Sequence, residues 1–560
     1  MENKKIASHL KLLSQLMELH HENPFKIKSI ANSYFKIDKL PFKLAEKTLA
    51  EIETIEGIGK SLAAKIVEIL QTNKLQELDD LIAQTPLGII EMLAIKGLGP
   101  KKIDIIWNVL GIDNIGELYY ACNENRLIEA KGFGLKTQED IKLSIEFKMA
   151  SNGKFLYAKI ENLNQYYVSL LGDLTNDAKV YEAGEFRRKC EIINQLVYVI
   201  ATADIFLLHQ LIIALPDIEI LETTPQNIVF KDSNNATINI LLCTPEALFT
   251  QLFIATGSPA HILKMSERLD LQKNYASENE IYTLAGMAYI EPELREGTTE
   301  IEKALQNTLP KLIVYQDLKG TLHNHSNWSD GVNSIEEMAI YCRDELKLQY
   351  LGLCDHSKSA VYAKGLSIER VLQQHQEIDS LNKKLAPFKI FKGIESDILG
   401  DGSLDYPDEI LSRFDFVVAS IHQNLKMDEQ KATNRLIKAI ENPHTTILGH
   451  PTGRLLLSRK GYDIDYKKVI DACADNNVAI EINANPLRLD LDWRWHQYAL
   501  DKGVKLCINP DAHRLEGFLD MHYGIYIARK GGLNKQNCLN AFNLDEMIAY
   551  FTAKKQGIKI

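Results

Sequence analysis

The sequence predicts a multidomain α + α/β protein: a helical N-terminal third, a mixed α/β middle and a C-terminal (β/α) barrel. Three observations carry this. The chain has 560 residues, more than one hydrophobic core organises, and roughly 150 residues per domain gives three or four domains. In the first 150 positions apolar residues recur at three- and four-residue spacing, as in IASHLKLLSQLMEL and SLAAKIVEIL, which is the helical period. After about residue 313, short apolar runs alternate with helical stretches, the pattern of βα units around a parallel sheet or barrel.

Composition narrows the function classes. Hydrophobic content of 45% and charged content of 25% are those of a globular protein. No apolar run approaches the ~20 residues that span a bilayer, and the N-terminus MENKKIASHL has no apolar signal region. Eight scattered cysteines without a C-x-x-C pair suit reduced thiols in a cytoplasm. Net charge is −11, yet residues 1–150 carry 20 Lys+Arg against 21 Asp+Glu. Total charge therefore neither supports nor excludes a nucleic-acid partner, because a local phosphate site needs only a few basic groups.

Three similar loops punctuate the helical third: IEGIGK (55–60), IKGLGP (95–100) and AKGFGL (130–135). Each is Gly-hydrophobic-Gly followed by a new helix. Such a loop turns backbone N–H groups outward at a helix start, an anion site that suits a DNA phosphate read without regard to base. The expected DNA-contacting residues are Gly57, Gly59 and Lys60, Gly97, Gly99 and Lys101, and Gly132, Gly134 and Lys136. In the middle, VSLLGDL, KVYEAGE and LVYVIATAD read as short strands between helices. The charged, proline-bearing segment 291–312 reads as a connector.

The last region carries most of the chemistry. LKGTLHNHS supplies His323 and His325, with Asp330 just beyond; YLGLCDHS supplies His356, IFKGIESD supplies Glu395, and FDFVVASIH supplies His422. TTILGHP supplies His450, VAIEINANP supplies no ligand, and KLCINPDAH supplies Asp511 and His513. In a (β/α) barrel the strand ends converge on one face, and residues two apart in an extended segment point the same way. Imidazoles mixed with carboxylates and free of thiolates suit divalent ions such as Zn²⁺ or Mn²⁺ in a catalytic site. Close cations acidify a bound water, so the pattern points to metal-assisted catalysis. Arg454, four residues past His450 in HPTGR, is a candidate phosphate grip.

This constellation resembles the PHP (polymerase and histidinol phosphatase) family over about 315–515. The resemblance implies a distorted (β/α)7 barrel holding three divalent metals. His323, His325, Glu395 and Asp511 would bind one; Glu395 would bridge to a second, held also by His422 and His450; Asp330, His356 and His513 would bind a third. Taken whole, the chain resembles the bacterial DNA polymerase X family. That implies a helix-hairpin-helix, lyase-like domain over 1–85 and a fingers-like helix-hairpin-helix domain over 86–152. A polymerase beta-like nucleotidyltransferase palm (153–240), a thumb and linker (241–312) and the PHP domain (313–560) would follow. Lys65 falls where the lyase-type domains carry their Schiff-base lysine.

The palm departs from the family. Its motif runs approximately A-G-S-x-R-R-x-x-E-x-x-x-D-x-D, and here AGEFRRKCEIINQLV spans Ala183 to Val197. Arg187, Arg188 and Glu191 match, but the serine position is Glu185 and the aspartate positions are Gln195 and Val197. A third family aspartate aligns with Asn239. Two-metal nucleotidyl transfer needs anionic ligands for Mg²⁺, and these positions offer none; Asp204 lies several residues too far along to replace them. The expectation is a cytoplasmic, nucleoid-associated DNA-repair phosphoesterase. It would act as a 3′→5′ exonuclease on gapped, nicked or 3′-ended DNA, with abasic-site or 3′-phosphate processing as further activities. It would be a monomer in base excision repair, without a membrane partner and with a lost polymerase site. The rivals are an active polymerase with PHP proofreading, a DNA-end-binding scaffold without catalysis, and a small-molecule phosphatase.

Overall fold

A computed structural model describes residues 3–558 apart from Lys96, Glu129, 151–152 and 176–178. The chain forms two compact units, Met1–Glu146 and Phe147–Ile560.

The first unit is helical. Its opening helix, Asn3–Leu19, buries Ile6, Leu10, Leu13 and Met17 along one stripe, the three- and four-residue spacing that made it legible. In each glycine loop the first glycine lies in the left-handed region: Gly57, Gly97 and Gly132 have φ of 90°, 89° and 87°, which a side chain would strain. The second glycine stands just before a new helix. Gly59 and Gly99 cap Lys60–Thr72 and Pro100–Asp104 in extended conformation, with no side chain accepting from the first turn.

The second unit opens with an 18-residue helix, Tyr157–Leu174. VSLLGDL, expected as a strand, is the end of this helix. Its apolar residues continue a stripe through Tyr157, Ile160, Tyr167 and Leu171, a phase that a seven-residue window does not reveal. A five-stranded sheet follows, built from β1 (Val180–Ala183), β2 (Leu196–Ala201), β3 (Glu219–Thr224), β4 (Asn227–Lys231) and β5 (Thr237–Cys243) in the order β1-β2-β5-β4-β3. β2 and β5 run parallel with Val197 opposite Asn239, and β1 pairs antiparallel with β2. Tyr167, Tyr198, Phe230 and Ile238 fill the core beneath the sheet.

Residues 248–305 are mainly helical around Phe253, Met265, Tyr282 and Ile301. Segment 291–312 is folded rather than a loose connector: it contains the helix Glu300–Leu305, and Glu293, Arg295 and Glu300 are buried. Arg295 is fully buried against Glu278, and Glu300 accepts from His261 at 2.7 Å.

The remainder is a barrel of seven parallel strands in sequential order: β6 (Gly320–Thr321), β7 (Tyr350–Leu353), β8 (Lys389–Asp397), β9 (Phe416–Ser420), β10 (Ile447–Leu448), β11 (Ala479–Asn483) and β12 (Leu506–Asn509). β7, β9, β11 and β12 are buried at every residue, as expected of parallel strands covered on both faces. The ring does not close by a β6–β12 ladder; just past the strand ends Asp511 N–H donates to the His323 carbonyl at 3.1 Å and His325 N–H to the Ala512 carbonyl at 2.8 Å, and side chains complete the closure. Asn540 Nδ2 donates to the carbonyls of Gly320 (3.1 Å) and Ile508 (2.8 Å), and its Oδ1 accepts from Ile508 N–H. Asn509 Oδ1 accepts from Leu322 N–H at 3.1 Å. The helix Leu544–Lys555 seals the floor, with Phe551 stacked on Phe416 at 5.0 Å. Gly393 makes room there, since a Cβ would stand 2.4 Å from the Phe416 ring. Among the described residues no helix is long and apolar enough to cross a membrane.

Candidate active site

Each ligand-type residue of the barrel stands where its strand ends, and the ring geometry brings them together. The ion-pair distances bind them into one cluster. Glu395, the last but two of β8, lies 3.3 Å from His323 Nε2, 3.0 Å from His356 Nδ1, 3.1 Å from His422 Nε2 and 3.0 Å from His450 Nε2. Asp511 is 3.1 Å from His325 Nε2 and 3.6 Å from His323 Nε2. Asp330 is 3.4 Å from both His356 and His513. Ligands on one divalent ion bonded at ~2.1 Å stand roughly 3–3.5 Å apart, so this spacing fits shared cations. Three groups have ligand atoms within 4.8 Å of one another: His325, Asp330, His356 and His513; His323, His325 and Asp511; His356, Glu395 and His422. His325 and His356 thus stand between neighbouring groups.

The donor atoms fit metals better than they fit one another. His323 Nε2, both ring nitrogens of His325 and of His356, Asp330 Oδ2, Glu395 Oε2 and His450 Nδ1 are buried without a hydrogen-bond partner. Buried polar groups are normally satisfied, and a concentration of exceptions among imidazoles and carboxylates this close together fits a shared cation site. Burial opposes charge on every member. On His323, His356 and His422 the facing carboxylates, led by Glu481, Asp330 and Glu395 in turn, outweigh it and hold the rings well above the usual imidazole range. Asp330, Glu395 and Asp511 are held well below the carboxylate range by the surrounding histidines despite their burial. Burial wins at His325, with His513 and His356 adding to it, and at His450, with Arg488 adding to it; both rings are lowered. Asp511 sits at φ 54°, a strained setting of the kind that concentrates at functional sites.

A second layer of polar residues fixes the first. Glu481, in the strand read as supplying no ligand, is fully buried. Its Oε1 accepts from His323 Nδ1 at 2.7 Å and Asn509 Nδ2 at 3.1 Å, and its Oε2 from His450 N–H at 2.8 Å and Asn483 Nδ2 at 3.3 Å. Asp397 accepts from His422 Nδ1 at 2.5 Å and Ser359 Oγ at 2.6 Å. Asp355 accepts from Ser326 N–H, Ser329 N–H and Gln374, and so shapes the loop between His325 and Asp330. Outer carboxylates of this kind set the tautomer and direction of ligating imidazoles. Glu481 carried a signal: a glutamate inside an otherwise apolar, fully buried strand is rarely there without a partner.

Arg454 is engaged elsewhere than at a phosphate. Its guanidinium meets Asp492 at 2.5 Å and donates to the carbonyls of Arg488 (2.9 Å) and Leu489. The arginine beside the cluster is Arg488, 3% exposed, with Nε 4.0 Å from Asp511 Oδ2.

Outside the barrel, the palm-like positions show no comparable cluster among the described residues. Val197 is buried with Ala183, Val199, Cys243, Leu248 and Leu252, and Asn239 faces it from β5. Gln195 immediately precedes β2. Glu185 is clamped by Asn194, accepting from its N–H at 2.7 Å and its Nδ2 at 2.8 Å. Asp204 caps the helix Ile205–Ile213 through Leu207 N–H. In the first unit, a Cβ on Gly59, Gly97, Gly99, Gly132 or Gly134 would meet nothing within 4 Å. Packing therefore does not demand the second glycines, and the space beside them is open to a phosphate backbone. Lys60 opens its helix, Lys101 lies in the next and Lys136 in the third. Lys65 is ion-paired with Glu77.

Comparison with known proteins matches this division. A helix-hairpin-helix domain family matches residues 1–75, and a SAM-like helix-hairpin-helix tandem matches residues 89–146. The DNA polymerase/3′-5′ exonuclease PolX of Bacillus subtilis (strain 168) is 34% identical over 98% of this chain and 99% of its own length. A probable phosphatase of Thermoanaerobacter sp. (strain X514) is 28% identical over 32% of this chain and 74% of its own length. Another, of Caldicellulosiruptor saccharolyticus, is 31% identical over 35% and 71%. From the helix-hairpin-helix loops to the histidine-lined barrel, this chain is an enzyme of the DNA polymerase X family.

Proposed function

We propose that the barrel is a metal-dependent phosphoesterase acting as a 3′→5′ exonuclease on DNA, and that the palm no longer supports nucleotide transfer. The observation that carries this reading is the contrast between two sites in one chain. Nine ligand-type residues meet in the barrel, and buried nitrogens or oxygens of His323, His325, Asp330, His356 and Glu395 have no hydrogen-bond partner, while the palm offers Gln195, Val197 and Asn239 where Mg²⁺ needs carboxylates. In the barrel His323, His325, Asp330, His356, Glu395, His422, His450, Asp511 and His513 would hold the ions, with manganese or zinc fitting the donor set. Bound there, divalent ions would supply an acidified water and offset the charge on phosphoryl oxygens. The protein's own contribution is orientation: Glu481 and Asp397 aim His323 and His422, and Asp355 sets the loop that carries Asp330.

The proposed division of labour follows the boundaries 1–85, 86–152, 153–240, 241–312 and 313–560. The glycine loops would hold gapped, nicked or 3′-ended DNA by its backbone, in a cytoplasmic, nucleoid-associated repair setting. The ion pair between Lys65 and Glu77 keeps a lyase role for that lysine outside this proposal. The test incubates the purified chain with 5′-labelled primer–template, Mn²⁺ and dNTPs. Shortening that vanishes in His323→Ala and Asp511→Ala supports the reading. Primer extension would favour the polymerase named for the Bacillus relative and refute the reading of the palm.

A further inference from the structure

The palm-like motif matches its family at Arg187, Arg188 and Glu191 while lacking the aspartates, and the structure gives these three residues other work. Arg187 pairs with Glu278 and donates to Thr256 Oγ1 at 2.7 Å. Arg188 donates to Glu296 at 2.9 Å and to the Thr256 carbonyl at 2.7 Å. Both therefore tie the palm to the neighbouring helices. Glu191 points the other way, into the barrel. It is 8% exposed, and both its oxygens are taken by one turn of the barrel: Oε1 by Arg494 Nη1 at 2.9 Å and Oε2 by Trp493 Nε1 at 3.1 Å.

That turn, residues 488–494, leads from β11 toward the helix His496–Asp501 and is held largely by side chains. Arg494 also pairs with Asp492 at 3.0 Å, and Asp492 holds Arg454, which holds the Arg488 and Leu489 carbonyls. Asp490 accepts from the N–H and hydroxyl of Thr452, each at 2.8 Å, two residues beyond His450. Leu491 N–H donates to the Glu481 carbonyl at 2.9 Å, and Asn483 N–H to the Asp490 carbonyl. At the inner end Arg488 stands 4.0 Å from Asp511.

We infer that Glu191 is a positioning residue for the barrel's metal cluster: it latches the 488–494 turn, which sets Arg488 beside Asp511 and anchors the loop that carries His450. The inference rests on reading that cluster as a metal site. A carboxylate outside the barrel thus fixes the frame in which two ligands are held, and removing it leaves the Trp493 indole N–H without its acceptor and Arg494 with Asp492 alone.

The test uses the full chain, stripped of metal with a chelator, and measures Mn²⁺ binding by calorimetry alongside thermal unfolding. Glu191→Ala should weaken at least one class of Mn²⁺ site about 5- to 10-fold, below the ~10–100-fold typical of a direct outer partner because it lies further out. Tyr523→Phe removes another contact between the same two regions, the Tyr523 hydroxyl on Glu161 at 2.8 Å, and should leave Mn²⁺ binding within about 2-fold of wild type. If Glu191→Ala does not fold, Trp493→Phe deletes the indole N–H while keeping a smaller aromatic ring, and should weaken Mn²⁺ binding in the same direction. Unchanged binding in the folded variant refutes the latch. So does an equal loss in Tyr523→Phe, which would mean general loosening of the interface. A wild-type chain that binds no Mn²⁺ would instead overturn the reading of the cluster itself.

Discussion

Glu481→Gln tests how the cluster is held. The Glu481 carboxylate is fully buried and accepts four hydrogen bonds, two on each oxygen, from His323, Asn509, His450 and Asn483. Glutamine keeps the shape, but its amide NH₂ must face one pair of donors. In one orientation it opposes His323 Nδ1–H and Asn509; in the other, His450 N–H and Asn483. Either way buried donors lose their acceptor, at about 1–3 kcal/mol each. The charge-assisted bond to His323 weakens by a similar amount. The metal-free chain should therefore lose about 3–5 kcal/mol, measured by denaturant unfolding followed through a tryptophan of the barrel. With His323 no longer aimed, Mn²⁺ affinity should fall about 10- to 100-fold by calorimetry. A variant that binds Mn²⁺ within about 3-fold of wild type and loses under about 1 kcal/mol would refute the orienting role.

Three further outcomes follow from the same coordinates. Gly531→Ala places a Cβ 2.0 Å from His496 Nδ1 and 2.5 Å from its Cγ, so overpacking should cost at least about 1–3 kcal/mol in chemical denaturation. His496 is fully buried, and burial pushes its ring down to about 4; the unfolded chain binds the proton more readily. The stability it contributes is complete above about pH 6.5 and should be lost as pH falls through 4, by up to about 3 kcal/mol, and His496→Gln should flatten that part of the pH–stability curve. Burial likewise lowers the Lys554 ammonium to about 8. Its folded form resists protonation, so Lys554→Met should stabilise the chain most below pH 8, with the gain shrinking as pH rises from 8 toward 10.5 in thermal melts.

The barrel was legible because its strands are mostly apolar runs and six of the seven end in or are followed by histidine or a carboxylate, and both features survive in single-sequence form. VSLLGDL misled because seven apolar-rich residues carry no phase by themselves; only the stripe from Tyr157 to Leu171 reveals the helix. Segment 291–312 misled for a different reason. Charge suggested solvent, but Arg295, Glu300 and Glu293 are partnered inside the fold by Glu278, His261 and Arg529, and pairings between distant positions leave no local trace. The same limit explains Arg454. Its spacing from His450 suggests a phosphate grip, and its contact with Asp492, 38 residues on, leaves no local trace either. Glu481 lies within its strand, where no strand-end position marks it as part of the site.

Closing the barrel edge also sets an order in time. Leu322 and Asn509, joined across the open edge, lie 187 residues apart, so at ~5–20 residues per second the first strand waits roughly 10–40 s on the ribosome for the last. During that wait His323, His325 and His356 have emerged, but Asp511, His513 and the Asn540 clasp have not. Ions met early encounter imidazoles that cannot yet form a ring. The nine ligand-type residues therefore come together only once the last strand has joined the first.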